Sequence, residues 1–258
     1  MTPQLTRIRI YPIKALDPLE VSEAAVRGGA GLAHDREFRL VDEAGQVVNG
    51  KSAGELILQI RSSFSLGFGE LTLSDEQSSM SARLSRAWGD AESWLSERLG
   101  KKIRLEQNAD GGFPDDEEAA GPTLVSRATL VEIASWFGME EEEARRRFRA
   151  NLEIDGVPAF WEDRLFGKQG ETVRFQIGSL MLEGVKPCQR CVVPSRDSKT
   201  GELPDPSFSK KLAEKRKTAL PSWAEASRFD HFYRVALNTV VPAAENGKTV
   251  RLGDEVVV

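Results

Sequence analysis

Apolar and polar residues alternate along LTRIRIYPIK (5–14), with Leu5, Ile8, Ile10 and Ile13 as the apolar set, and this period of two predicts a strand. EFRLVDEAGQVVN predicts a hairpin that turns at Glu43-Ala44-Gly45, and LILQIRSSF and GELTLS predict further strands. From Gly89 to Gly100 the spacing becomes helical: Trp94, Leu95 and Leu99 share one face, Asp90 serves as N-cap and Gly100 is the stop. Asn108 to Pro122, NADGGFPDDEEAAGP, is rich in Gly, Pro and acid and reads as a solvated linker or the rim of a site. VSRATLVEIASWFG predicts a helix capped by Ser126, and MEEEEARRRFRA predicts a second. In the second, Glu141–Arg145, Glu142–Arg146 and Glu143–Arg147 fall at i,i+4, which reads as a solvated face and leaves Arg149 beyond the pairing.

After Asn151 the pattern is again that of strands: NLEID, ETVRFQIGSLMLEGV, HFYRVALNTVV and a closing KTVRLGDEVVV, with a loop and short basic helix in GELPDPSFSKKLAEKRK. No internal repeat and no regular βαβ alternation is present. The expected class is α+β and β-rich, with barrel-like strands in the C-terminal half and a smaller N-terminal β/α domain. The divisions expected are 1–107, a linker at 108–122, and 123–258.

Composition narrows the function. Of the 258 residues 40% are hydrophobic and 29% charged, an ordinary globular balance. The longest apolar runs, such as Leu180–Leu182 and Val256–Val258, fall far below the ~20 residues that span a bilayer. The N-terminus has no apolar stretch of signal-peptide length, so a cytoplasmic protein without a membrane partner is expected. A net charge of −5 argues against a general nucleic-acid binder. Any anion site must therefore be local.

The only two thiols, Cys188 and Cys191, stand in KPCQRC. A disulfide, half a zinc site, a redox pair and a thiolate ligand for another metal all compete for them. A redox pair wants its first cysteine at a helix N-terminus, whereas this motif follows a strand and runs into Val192-Val193-Pro194. Zinc wants four ligands, and the only histidines, His34 and His231, lack paired spacing. For a single thiolate ligand, Lys186 and Arg190 would favour the ionised form of Cys188. Cys191 would then be a small core residue.

KPCQRC followed by TG resembles the cysteine motif of the MOSC domain family. YPIKALDPLEV and GLAHDREFRLVD are similar to the N-terminal β-barrel segment that precedes such domains. FRANLEIDG, WEDRLF and LGDEVVV also resemble family stretches, in order along the chain. The resemblance implies an N-terminal MOSC β-barrel-type domain at 1–107 and a MOSC domain at 123–258. It implies a pterin-based molybdenum cofactor whose metal is held by Cys188, as in proteins like the mitochondrial amidoxime-reducing component and its bacterial relatives. Cofactor contacts implied by position are Lys14, Arg36, Ser126, Arg149 and Asn151, with Arg190 beside the ligand. The family also carries an association with pyridoxal phosphate.

A phosphate wants Lys or Arg and the backbone N–H groups of a helix start, which suits these residue types. The chain departs from the family pattern at Ala15, where serine is common, and at Ala150, where proline is. Ser195, Arg196 and Ser198 depart in the stretch expected near the metal, which bears on substrate choice. The sequence read ends at Val258 without the ferredoxin-like domain of some relatives. The implied activity is reduction of small N-hydroxylated compounds. It would need a separate electron-donor reductase, since no four-cysteine cluster site, C-x-x-C-H or convincing G-x-G-x-x-G is present. Lys210, Lys211, Lys215, Arg216 and Lys217 are an expected docking stretch for it. The alternative expectation is a non-catalytic cofactor carrier or a sulfur carrier.

Overall fold

The computed structural model describes residues 2–65, 69–83 and 88–258. The N-terminal part runs β1 (Gln4–Ile10), β2 (Leu19–Val21), β3 (Glu23–Ala25), β4 (Phe38–Val41), β5 (Val47–Val48), α1 (Gly54–Gln59), β6 (Arg61–Ser65), β7 (Glu70–Ser74), β8 (Ser79–Arg83), α2 (Trp88–Leu99) and β9 (Arg104–Gln107). Then follow β10 (Leu124–Ser126), α3 (Arg127–Phe137), α4 (Glu141–Phe148), β11 (Leu152–Asp155), β12 (Val173–Ile177), β13 (Leu180–Gln189), α5 (Phe208–Thr218), β14 (Arg234–Val240), β15 (Thr249–Arg251) and β16 (Val256–Val257).

Eight strands form one curled sheet in the order β16-β12-β13-β14-β10-β11-β1-β2. Its ends meet: Leu5 N–H donates to Asp254 O at 2.8 Å, Gly253 N–H to Leu5 O at 2.8 Å, and Val256 N–H to Pro3 O at 2.9 Å. The start of β1 thus closes against the last strand, while Ile8–Ile10 carries β2. Closure pairs backbone groups that an open edge would expose. The interior holds Leu5, Ile8, Leu124, Ile154, Phe175, Leu182 and Leu237, none more than 2% exposed. A β-bulge between Leu5 and Arg7 explains why the apolar set steps from 5 to 8: one extra residue re-phases the strand so that both side chains point inward.

Two further cores flank the barrel. The sheets β5-β4-β9 and β6-β7-β8 pack with α1 and α2 around Ile13, Leu16, Leu40, Ile57, Leu73 and Leu95. Helices α3, α4 and α5 share a third core with Val125, Ile133, Phe148, Phe208 and Leu212. The sequence division at 108–122 does not separate the sheets in space, because β1 and β2 belong to the C-terminal barrel and β3 pairs with β15.

The structure departs from the sequence expectations at several elements. LILQ is helical, not strand: only Ile57 of α1 is buried, Leu56 is exposed, and the extended chain resumes at Ile60. A short apolar run fits either period. Helix α2 begins at Trp88, so Asp90 lies in its first turn rather than at its cap. KTVRLGDEVVV is two strands, β15 on β3 and β16 on β12. The α4 charges are not a solvated face: Arg145 and Arg147 are buried, and Arg145 Nε donates to Glu153 at 2.6 Å. Arg216 leaves the basic face of α5 altogether, being 1% exposed, bound to Asp163 and 4.0 Å over the Phe160 ring.

Candidate functional site

A cavity of about 620 Å³ lies where the 108–122 loop meets β13 and the end of α4, and Lys14, Arg36, Arg149, Asn151, Cys188 and Arg190 all line it. The loop is therefore a rim. Six of the seven positions singled out from sequence come together here. Ser126 does not. It caps α3 as expected, its Oγ accepting from Thr129 N–H at 3.2 Å, but it is fully buried and bonded to Thr129 Oγ1 at 2.8 Å. Its side chain is spent inside the protein.

Cys188 is aimed by the sheet. The β13–β14 register shifts between Pro187 and Gln189, where Leu237 to Arg234 on β14 spans one residue more than its partner stretch. The bulge is therefore on β14, where Ala236 has φ +72°, and Cys188 lies directly opposite this break in the regular pleat. Arg190 Nη1 donates to its sulfur at 3.1 Å, and the same guanidinium bonds Phe148 O. Burial would lower the Arg190 pKa, but the Cys188 and Cys191 sulfurs outweigh it and raise it. Lys186 is held instead by Asp116 at 2.9 Å and Glu118 at 3.1 Å. Both cysteines are free and half-buried.

The opposite wall is built on backbone that L-residues rarely adopt. Ala15, Arg36 and Arg149 have φ of +79°, +49° and +51°, each a left-handed conformation of a non-glycine residue that costs of order 1–3 kcal/mol. Arg149 ends α4 in the position that glycine usually takes. Its guanidinium donates to Leu16 O at 2.7 Å and lies 4.2 Å over the Tyr11 ring. Arg36 lies 5.2 Å over the same ring and is paired with Asp35. Burial lowers the Arg149 pKa, as expected for a cation crowded by Arg36. Asn151 is a brace: its Nδ2 donates to Arg9 O at 3.0 Å and its Oδ1 accepts from Thr123 N–H at 3.2 Å.

Sequence reading passed over Asp35, Asp115, Arg147, Arg234 and Asn238, which also line the cavity. Only the acid-rich loop hinted at Asp115; Asp35 sits in the turn before β4, and Arg147, Arg234 and Asn238 sit on α4 and β14, whose facing is set by the fold. Partial desolvation in the cleft would raise the Asp115 carboxyl, but Arg36 and Lys14 outweigh it and hold it well below the usual carboxylate range. Ser195, Arg196 and Ser198, expected near the metal, do not line the cavity. Ser198 Oγ bonds Glu143 at 2.5 Å, and Arg196 bonds Gly201 O at 2.7 Å.

The described lining carries eight Lys and Arg side chains against three aspartates, a local cation surplus in an acidic chain. The buried Nε atoms of Arg190 and Arg234 have no acceptor. Orphaned donors beside a half-buried thiol, in a cation-rich cleft, fit an anionic, hydrogen-bonding group held through sulfur. Among the described residues no three His, Cys, Asp or Glu side chains gather as a metal cage; His34 is bonded to Glu37 at 2.8 Å. No helix of the described residues is long and apolar enough to cross a membrane.

The family profile described as MOSC domain matches residues 119–257, and that described as MOSC N-terminal beta barrel domain matches residues 2–102. Molybdenum cofactor sulfurase of Drosophila grimshawi is 30% identical over 233 residues, covering 78% of this chain and 29% of that protein. Molybdenum cofactor sulfurase of Homo sapiens is 24% identical over 263 residues, covering 83% of this chain and 29% of that protein. The chain thus spans under a third of the length of these relatives. The solved structure of the YUAD protein from Bacillus subtilis aligns with a TM-score of 0.39 at 14% identity, over 99% of this chain and 94% of that one.

Proposed function

The chain belongs to the MOSC domain family, with the MOSC N-terminal beta barrel domain ahead of it, and from that premise we propose that it binds a molybdenum cofactor through Cys188 and reduces small N-hydroxylated compounds. The names of its relatives support a molybdenum-cofactor-related function. The observation that carries the reading is Cys188 itself, opposite the β14 bulge and lining one cavity with Lys14, Arg36 and Arg149. When bound, the cofactor supplies two-electron removal of the oxygen of an N–OH group.

The residues of this chain bind and orient. Arg190 donates to the Cys188 sulfur at 3.1 Å and fixes its position at the cavity wall. Lys14, Arg36 and Arg149 offer charge to a terminal phosphate. Asn151 fixes the backbone that carries Arg149. Cys191, the residue after Arg190, completes the motif without itself being the ligand.

A second reading is a carrier of the cofactor or of sulfur on Cys188, and the sulfurase names of the relatives favour it. Protein purified from a host that makes the cofactor separates the two. Stoichiometric molybdenum together with benzamidoxime reduction from an artificial donor supports the reductase. Bound molybdenum without turnover by any donor supports the carrier. Absence of molybdenum, or zinc in its place, defeats the reductase and the cofactor carrier alike and leaves only sulfur carriage on Cys188.

A further inference from the structure

Lys14 carries three N–H donors on its ammonium, and a single loop supplies an acceptor for each. Phe113 O and Pro114 O lie at 3.1 Å and Asp115 Oδ1 at 2.9 Å. The other Asp115 oxygen lies 3.5 Å from Arg36 Nε. Two of the three cations of the proposed phosphate site are thus already taken by a carboxylate of the same chain.

That carboxylate is poorly anchored except by those cations. Its side chain is 69% exposed. The root of the loop is fixed: Phe113 N–H donates to Arg36 O at 2.8 Å, and Arg39 lies 4.3 Å over the Phe113 ring. Gly112 has φ +64°, and a Cβ there would fall 2.7 Å from Asp35 O, so the turn into the loop is set by glycine. Beyond it Asp116 caps the short turn Glu117–Ala119. Asp115 sits between these fixed points and reaches into the cavity.

We propose that Asp115 is an intramolecular stand-in for the phosphate of the ligand. It occupies Lys14 and Arg36 until a dianionic phosphate monoester displaces it, and so sets the charge that an anion must carry to enter. Exchange of one carboxylate for another monoanion gains no charge at these cations; exchange for a dianion gains one, in a cleft where screening is reduced. In the free protein Asp115 adds to Asp35 in offsetting the repulsion between Arg36 and Arg149, which share the Tyr11 ring. The loop backbone around Lys14 must loosen when the exchange occurs, because all three ammonium donors change partners.

The inference rests on the anion-site reading above, and one set of measurements tests the two apart. Cofactor-free protein is titrated calorimetrically with inorganic phosphate and with acetate near pH 7.5, as wild type, Asp115→Asn and the double variant Lys14→Ala/Asp115→Asn. The expected result is phosphate binding about tenfold tighter in Asp115→Asn, detectable acetate binding only in that variant, and loss of the gain in the double variant. Hydrogen exchange of the wild-type amides 115–118 should speed up when phosphate saturates. Equal phosphate affinity in wild type and Asp115→Asn, or exchange that stays the same or slows, overturns the stand-in and leaves the anion site standing. Absence of phosphate binding in both forms overturns the anion site itself.

Discussion

Cys188 and Cys191 share a motif but not an environment, and the difference makes them separable. Cys188 faces the β14 bulge with Arg190 on its sulfur, while at Cys191 it is the backbone carbonyl that is engaged, accepting from Tyr233 OH at 3.1 Å. Cys188→Ala is expected to abolish molybdenum retention and Cys191→Ala to keep most of it; elemental analysis of the two purified variants checks this, and equal loss would contradict a single thiolate ligand. A second residue-scale test concerns Glu162. It is 1% exposed, takes a bond from Thr129 Oγ1 at 3.1 Å, and has an oxygen without a partner. Burial first and the Asp163 charge second push its pKa from 4.5 up to about 7. Between those values the unfolded chain has released a proton that the folded chain keeps, so stability falls as pH rises through this window, by roughly 3 kcal/mol at about 1.36 kcal/mol per unit. Glu162→Gln should flatten that slope: its melting temperature should exceed that of the wild type by more at pH 8 than at pH 5. A parallel pair of curves would show that Glu162 is ionised throughout.

At the scale of elements, strain marks the site. Helix α4 could end on glycine without penalty, yet it ends on Arg149 at φ +51°, because the left-handed turn sends the guanidinium back over Tyr11. Glycine and alanine at this position both delete the cation, but only alanine keeps the strain. Arg149→Gly should therefore be more stable than Arg149→Ala by about 1 kcal/mol, while both lose phosphate affinity by tenfold or more; denaturant melts and phosphate titrations of the two variants check each half. The sequence made such features partly legible. The Ser126 cap and the pairs on α4 follow from local chemistry that any helix obeys. The bulge opposite Cys188 does not, since it lies on β14, some 45 residues downstream. Nor does the inward turn of Arg145 and Arg216, because Glu153 and Asp163 reach them only through packing. Short strands such as β2 and β9 were invisible for a related reason: three or four residues carry too little period, and their partners decide them.

At the scale of the whole molecule, the β-rich class and the barrel were legible because most of its strands alternate clearly. Its closure by β1 against residues 253–256 was not, being the longest-range pairing of the chain. The gathered anion residues were legible only through the family resemblance, for nothing in their spacing says that positions 14, 36 and 149 meet. The function proposed for this assembly has one further requirement. Reduction of an N–OH group consumes two electrons per turnover. The chain has two cysteines, too few for a four-thiolate cluster, and Cys188 is committed to the metal in this reading. We therefore expect turnover to require a separate reductase that docks on the surface of this chain. The docking stretch on α5 is smaller than its sequence suggests, since Arg216 is internal and Lys211 is bonded to Asp205 at 2.8 Å; Lys210, 79% exposed, and Lys215 and Lys217 remain on the surface. Molybdenum-loaded protein should reduce benzamidoxime with an artificial donor and fail with nicotinamide cofactor alone. Charge reversal at Lys210, Lys215 and Lys217 should slow the reaction supported by a donor protein while leaving the artificial-donor rate intact. Turnover on nicotinamide cofactor without added protein would reveal an electron path inside this chain, and equal slowing with both donors would place the lysines in folding rather than docking.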